Sequence, residues 1–295
     1  MRDLTDAAPA EIAATRARIP REGVGAKILV SQGSDGPWHR ADTPDWLLTL
    51  FTMLLLRSTG IDPTEPAVES AVARLETGFH WHEELGGKPF FEGETEPCIN
   101  GGTLALGAYF GRPSERLMRR LLSEQLDDGG WNCDAPKSTR SSFHTTICVL
   151  EGLLEYEPAV GCTPEITAAR RRGEEYLLKR TLLRRLSTGE VANPDFLKFA
   201  FPPRYCYDVL RALHYFRDAT LQNGDRPDPR VDEAFRFVES KRQADGRWLL
   251  DDTHNEALAF PFNESIGEPS RWNTLRALRV LRWYKQQGLD PADSA

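Results

Sequence analysis

The chain has no stretch long and apolar enough to span a bilayer. A membrane helix needs about 18 or more consecutive apolar residues, and the longest apolar block, Trp46 to Leu56, is broken by Thr49 and Thr52. Residues 1–18 are polar and Ala-rich and lack the apolar core of a secretory signal. A disulfide framework is missing too. The five cysteines, at 98, 133, 148, 162 and 206, are odd in number and irregularly spaced, which fits reduced thiols in a cytoplasm. Positive charge is not in surplus: the net charge is −7, whereas a general nucleic-acid binder is usually basic. Alternating runs of β-branched residues are absent, which excludes an extensive sheet. These absences lead to the expectation of a cytoplasmic protein with no membrane span and no nucleic-acid partner.

What remains is helical periodicity along nearly the whole chain. Hydrophobic residues make up 40% and charged residues 27% of 295, an ordinary balance for a packed core. Proline stands at or near the first turn of several amphipathic segments, in Asp62-Pro63-Thr64-Glu65-Pro66, Gly111-Arg112-Pro113-Ser114-Glu115, Thr163-Pro164-Glu165 and Asp228-Pro229-Arg230. Its missing N–H costs nothing there, and the adjacent Asp, Ser or Thr can cap. The pattern predicts five helix pairs. Charged first helices run over 9–30, 66–77, 114–125, 165–186 and 230–243; more apolar second helices run over 45–57, 100–110, 143–156, 205–217 and 271–286. In the last second helix Arg276, Arg279 and Arg282 form a basic stripe opposite Leu275, Leu278 and Leu281, which predicts a wet face on a terminal repeat. The fold class expected is all-α, as one domain over 1–295 with segments 1–8 and 288–295 free to move.

Between the helices one sentence recurs: Gln32-Gly33-Ser34-Asp35-Gly36-Pro37-Trp38, Gln125-Leu126-Asp127-Asp128-Gly129-Gly130-Trp131, and Gln243-Ala244-Asp245-Gly246-Arg247-Trp248. The first two read Q-x-x-D-G-x-W; the third has its Gln one residue closer. Recurrence of this kind is the mark of a repeat architecture. A charged and an apolar layer of helices bury the apolar one best when the array curls with that layer inward, so the pattern favours a curved or closed α/α ring.

Q-x-x-D-G-x-W resembles the QW repeat of the terpenoid-cyclase and protein-prenyltransferase superfamily, over roughly residues 25–285. The resemblance implies an α/α toroid whose inner helices surround a cavity. The stretches Gly129-Gly130-Trp131-Asn132-Cys133, Ser141-Ser142-Phe143-His144-Thr145-Thr146 and Val149-Leu150-Glu151-Gly152-Leu153 are similar to bacterial squalene-cyclase-like proteins without an assigned reaction. The superfamily's acid motif D-x-D-D is absent; the nearest strings are Leu126-Asp127-Asp128 and Leu249-Leu250-Asp251-Asp252. Its zinc motif D-x-C is also absent, and Cys206-Tyr207-Asp208 has the reverse order. His144 and Cys148 share a helix face at i, i+4, but zinc needs three or four converging groups, so no metal and no cofactor is expected.

In such a ring the starts of the inner helices converge on the cavity mouth. Those starts carry Trp46, Asn100, His144, Cys148, Tyr205, Tyr207, Asp208, Trp272 and Asn273, which are the candidate ligand-binding residues, since apolar walls with a few polar groups make a small-molecule pocket. The candidate acids are Asp208 and Asp252, with His144 as a further catalytic candidate. His80-Trp81-His82 is read as a packing or solvated loop. The basic run Arg170 to Arg185 is read as a solvated outer face, with contact to a membrane surface as the alternative. The aromatic loop 189–203 is read as a plug or lid. The leading expectation is binding or transformation of an apolar, isoprenoid-like molecule, with no reaction defined. The alternatives are a non-catalytic scaffold for a partner, and a carbohydrate-active enzyme using facing carboxylates such as Asp208 and Glu264.

Overall fold

Eleven α-helices, four of them beginning at a proline, form among the described residues of the computed structural model, which are 3–254, 258–260 and 263–286. The protein is all-α, with 54% of the described residues helical. In order the helices are α1 (Pro9–Arg16), α2 (Gly23–Val30), α3 (Asp45–Ser58), α4 (Pro66–Gly78), α5 (Pro97–Tyr109), α6 (Glu115–Ser123), α7 (Phe143–Val160), α8 (Pro164–Leu178), α9 (Val209–Asn223), α10 (Asp232–Ser240) and α11 (Arg271–Gln286). The strands among the described residues are β1 (Trp248–Leu249) and β2 (Pro269–Ser270), paired antiparallel. No helix among the described residues is long and apolar enough to cross a membrane. The expected tail 288–295 lies outside the described residues.

The chain divides into two compact units, Asp6–Gly173 with Asn255–Phe262, and Met1–Thr5 with Glu174–His254 and Asn263–Ala295. In the first unit α5 and α7 pack backbone to backbone. A Cβ on Gly101 would meet the Cys148 carbonyl, and one on Gly152 would meet the Gly101 carbonyl, so only glycine permits this approach. Helix α3 is buried along most of its length, including Leu48, Leu50, Phe51, Met53, Leu55 and Leu56. In the second unit α9 packs against α10 and α11. The aromatic loop is stitched into this unit rather than lying loose. Phe199 N–H donates to Asp251 Oδ2 (2.8 Å), Asp251 N–H to the Phe199 carbonyl (3.1 Å) and Phe201 N–H to the Asp252 carbonyl (3.2 Å).

Helix ends differ from the sequence reading where backbone conformation intervenes. The expected helix 9–30 is two helices, because the chain turns through Pro20 and through Gly23 at φ +63°. The helix expected over 165–186 stops at Leu178, before Thr181 and Leu182 adopt positive φ. The helix expected from 205 starts at Val209, where the Asp208 carboxylate caps Arg211 N–H at 2.7 Å, and it runs on to Asn223 before the left-handed Gly224. The basic stripe on α11 is not a wet face. Arg276 is buried, Arg279 and Arg282 are half-buried, and Arg279 pairs with Asp3 at 2.7 Å. The basic run near α8 is also committed. Arg170 is buried against Glu157 at 3.0 Å, Arg184 pairs with Glu233, and the Arg180 guanidinium lies 3.8 Å over the Tyr176 ring.

The recurring loops share one construction. Trp38, Trp131 and Trp248 are fully buried. Their indole N–H groups donate to carbonyls in the last turns of α2, α6 and α10: Ile28 (3.1 Å), Leu121 (2.7 Å) and Val238 (2.7 Å). Their backbone N–H groups donate to Thr49, Thr146 and Thr274 near the starts of α3, α7 and α11, at 3.2, 3.0 and 3.0 Å. In the first two loops the Gln side chain also reaches a later helix, α4 or α8. Gln32 Nε2 donates to Gly36 and Ala71 carbonyls (2.6 and 2.9 Å), and Gln125 Nε2 to Gly129 and Ala169 carbonyls (2.6 and 2.8 Å). The one-residue shift in the third loop leaves Gln243 Nε2 on the Lys241 carbonyl.

This difference predicts unequal costs for the same substitution. Gln125→Ala removes two donors from backbone carbonyls and a partner from Arg172, and should destabilise the first unit by about 1–3 kcal/mol. Gln243→Ala, at an exposed side chain, should cost under about 0.5 kcal/mol. Urea denaturation of both variants, followed by tryptophan fluorescence, measures the contrast.

Candidate functional site

Each unit holds its own group of sequence-predicted residues. In the first unit Trp46 lies in the first turn of α3, its ring 6.1 Å from that of Trp81. Trp81 is buried and stacked on Phe90 at 5.6 Å, while His80 and His82 are exposed, so that loop packs through its tryptophan. Asn100 is fully buried and spends its amide on the turn before α5. Its Oδ1 accepts Glu94 N–H (2.7 Å) and its Nδ2 donates to the Glu94 carbonyl (3.1 Å). Glu94 is itself buried; its carboxyl is pushed up by burial, against hydrogen bonds from Glu96 N–H and Thr95. His144 is half-buried in the first turn of α7, and Cys148 is buried one turn later.

The first unit also assembles residues that the sequence reading passed over. Glu96, Cys98 and Cys133 bring a carboxylate and two thiols together, with donor atoms all within 4.8 Å of one another. Cys98 donates toward Glu96 Oε2 at 3.6 Å. The Cys98 thiol is pushed far up by its hydrogen bond to Cys133, then by burial and the nearby Cys148. Cys133 is held below the usual thiol range, first by the Cys98 S–H and also by the Thr145 hydroxyl. Two sequence signals were available: Glu96-Pro97-Cys98 at a proline-started helix, and Cys133 two residues beyond a repeat tryptophan. These three residues are the set among the described residues that could hold a metal ion.

In the second unit Tyr207, Asp208, Trp272 and Asn273 sit at the starts of α9 and α11. Tyr207 is buried, with its hydroxyl on the Leu182 carbonyl. Asn273 Nδ2 ties the Phe199 and Leu249 carbonyls (2.9 and 3.1 Å). Trp272 stacks on Phe201 at 4.7 Å and 7°, while Tyr205 is 41% exposed. Asp208 is buried; Oδ1 takes the Arg211 N–H and lies 4.0 Å from Arg276 Nη2. Oδ2 is buried with no hydrogen-bond partner among the described residues. Burial pushes this carboxyl up, with Arg276 and the Arg211 N–H opposing. Arg211 was not named as a site residue from sequence and Arg276 was named only for the basic stripe, though each lies three residues after a candidate position, Asp208 and Asn273. Asp252 accepts Thr253 N–H (2.8 Å) and bridges Ala200. Glu264 is occupied by the start of α11, accepting from Ser270 Oγ (2.6 Å) and Arg271 N–H (3.0 Å).

His214 on α9 is held neutral: burial pushes it down to about 4 from 6.5, with the fields of Arg276, Arg279 and Arg217 adding and Asp218 opposing. A folded pKa below the unfolded one means stability that is present above pH 6.5 and lost as pH falls toward about 4. Asp208 has the opposite sign. Its contribution is present below the ordinary carboxylate pKa and is lost as pH rises through its raised value. Thermal melts across pH 4–7 should therefore fall more steeply toward acid in the wild type than in His214→Gln. Asp208→Asn, which keeps a capping side chain, should gain stability at neutral pH.

No family model and no curated protein matches the chain. A crystal structure of a protein from Actinoplanes is similar over 94% of this chain and 86% of that one, at 16% identity and a TM-score of 0.47. At that level the likeness carries neither fold nor function.

Proposed function

We propose that the chain is an α/α toroid of the squalene-cyclase-like kind that binds an apolar, isoprenoid-like small molecule, with Asp208 as the proton donor when the ligand is transformed. The observation that carries the reading is the Asp208 carboxyl. A general acid acting on an apolar substrate must be neutral and desolvated at working pH. Asp208 is buried, has one oxygen without a partner among the described residues and is pushed up by burial. The ring is supported by three helix–loop–helix links of one construction, each with a buried tryptophan tying an outer helix end to an inner helix start. Tyr205, just before Asp208, and Trp272, at the start of α11 and backed by buried Phe201, supply aromatic surface suited to an apolar ligand or a developing cation.

A second reading, a non-catalytic scaffold, is favoured by a specific observation. Asn100, Tyr207 and Asn273 spend their polar groups on backbone within their own units. The two readings separate experimentally. Purified protein incubated with polyprenyl alcohols and diphosphates should retain lipid through gel filtration, and any product formed should disappear in Asp208→Asn while lipid retention persists. Failure to retain any polyprenyl compound would discard the ligand-binding reading and leave the scaffold.

A further inference from the structure

Three donors of compatible chemistry meet at the start of α5. Cys98 is the second residue of the helix, Glu96 is the residue before its first turn, and Cys133 arrives on the loop that follows buried Trp131. Their positions are fixed from several sides. The glycine contact of Gly101 and Gly152 sets α5 against α7. Thr145 in the first turn of α7 accepts Cys133 N–H at 3.4 Å and lies 3.4 Å from its sulfur. Cys98 is buried and forms the floor, Cys133 is half-buried and Glu96 is exposed, so the group opens to solvent on one side.

Around a tetrahedral zinc ion sulfur lies at about 2.3 Å and carboxylate oxygen at about 2.0–2.2 Å, which puts neighbouring donors about 3.6–3.8 Å apart. Cys98 Sγ and Glu96 Oε2 already stand 3.6 Å apart, and all three donors fall within 4.8 Å. We propose that Glu96, Cys98 and Cys133 form a zinc(II) site with three protein ligands and a fourth position open to solvent. Two sulfur ligands select a borderline-soft ion over magnesium or calcium, which take oxygen. Three ligands with solvent access match sites where zinc binds a water or a further ligand; closed structural sites use four. On binding, each thiol releases its proton to solvent as its Zn–S bond forms. The Cys98 S–H reaches toward Glu96 Oε2 at 3.6 Å, and a bound ion takes that proton's place between the two ligands. The positive end of α5 favours the anionic ligands, and the Thr145 hydroxyl supports Cys133 from outside the coordination shell. The site lies wholly in the first unit and stands independently of the Asp208 reading.

The test uses the full chain, reduced and stripped with a chelator, then titrated with zinc(II) against a chromophoric chelator and with cobalt(II) as a spectroscopic probe. One ion per chain is expected, with proton release and a thiolate-to-cobalt charge-transfer band in the near ultraviolet. Cys133→Ser and Cys98→Ser should lose the band and the zinc affinity, Glu96→Gln should weaken binding, and Cys162→Ser should behave as wild type. Should Cys98→Ser fail to fold, Cys133→Ser carries the test on a half-exposed loop. In the wild type, zinc should also slow alkylation of Cys98 and Cys133, read by mass spectrometry, without protecting exposed Cys162. Absence of stoichiometric binding, a cobalt spectrum without the thiolate band, or unchanged affinity in Cys133→Ser overturns the proposal. A Cys98–Cys133 disulfide in protein that takes no zinc after reduction overturns it as well and assigns a redox pair.

Discussion

The structure depends on a buried indole at three of its helix-to-helix turns, α2 to α3, α6 to α7 and α10 to α11. The last carbonyls of any helix have no partner within it, and one left buried and unpaired costs about 1–3 kcal/mol. Trp38, Trp131 and Trp248 each place an N–H on such a carbonyl while filling the apolar space around it. Because the backbone N–H of the same tryptophan also engages a threonine in the following helix, one residue sets both the end of one helix and the start of the next. In the second loop the glycine two residues before the tryptophan is also constrained. Gly129 sits at φ +99°, and a Cβ there would meet the Arg172 carbonyl at 2.6 Å. A larger residue would meet both strain and collision.

Other helices are fixed at their starts by side-chain amides and carboxylates. Before α5, Asn100 closes on both the N–H and the carbonyl of Glu94; before α9, Asp208 caps the first turn. These commitments explain why polar residues at helix starts are not interchangeable as ligand contacts. An amide whose donor and acceptor are both used on backbone has little left for a ligand, whereas a carboxylate capping through one oxygen keeps the other. Asn100 and Asp208 occupy comparable helix starts, and only Asp208 retains that freedom.

Much of the fold was legible because periodicity and caps are local. Helices α3, α4, α7 and α11 lie close to their expected spans, and the repeat loops are read directly from Q-x-x-D-G-x-W. What escaped depends on partners distant in sequence. A basic stripe looks wet from periodicity alone, yet Arg276 is buried because its guanidinium finds the Ala200 carbonyl and Asn273 Oδ1, at 3.2 and 3.4 Å, and such groups carry their charge inward only when hydrogen-bonded. The thiol cluster escaped for the same reason. Cys98 and Cys133 are 35 residues apart, and their meeting requires the glycine contact between α5 and α7. The closeness of Gly101 to Gly152 is not a property of either helix's own pattern. Candidate residues at helix starts were legible as positions; their free valences were not.

The behaviour of Asp208 shows which electrostatic effect wins in the second unit. Two guanidinium-bearing residues stand near it, and a close bidentate pair would hold a carboxylate ionised. Neither residue supplies that geometry. Arg211 gives Nη1 to the Arg204 and Cys206 carbonyls (3.0 and 2.7 Å), and Arg276 approaches no nearer than 4.0 Å while bonding elsewhere. The backbone N–H of Arg211 satisfies one oxygen, but nothing among the described residues bonds the other. Desolvation therefore outweighs the cations, and the carboxyl moves up rather than down. Arg276 also reinforces desolvation at His214, together with Arg279 and Arg217, so that like charge and burial act in one direction and drive the imidazole to about 4. Arg276 thus opposes desolvation at an acid and reinforces it at a base within the same unit.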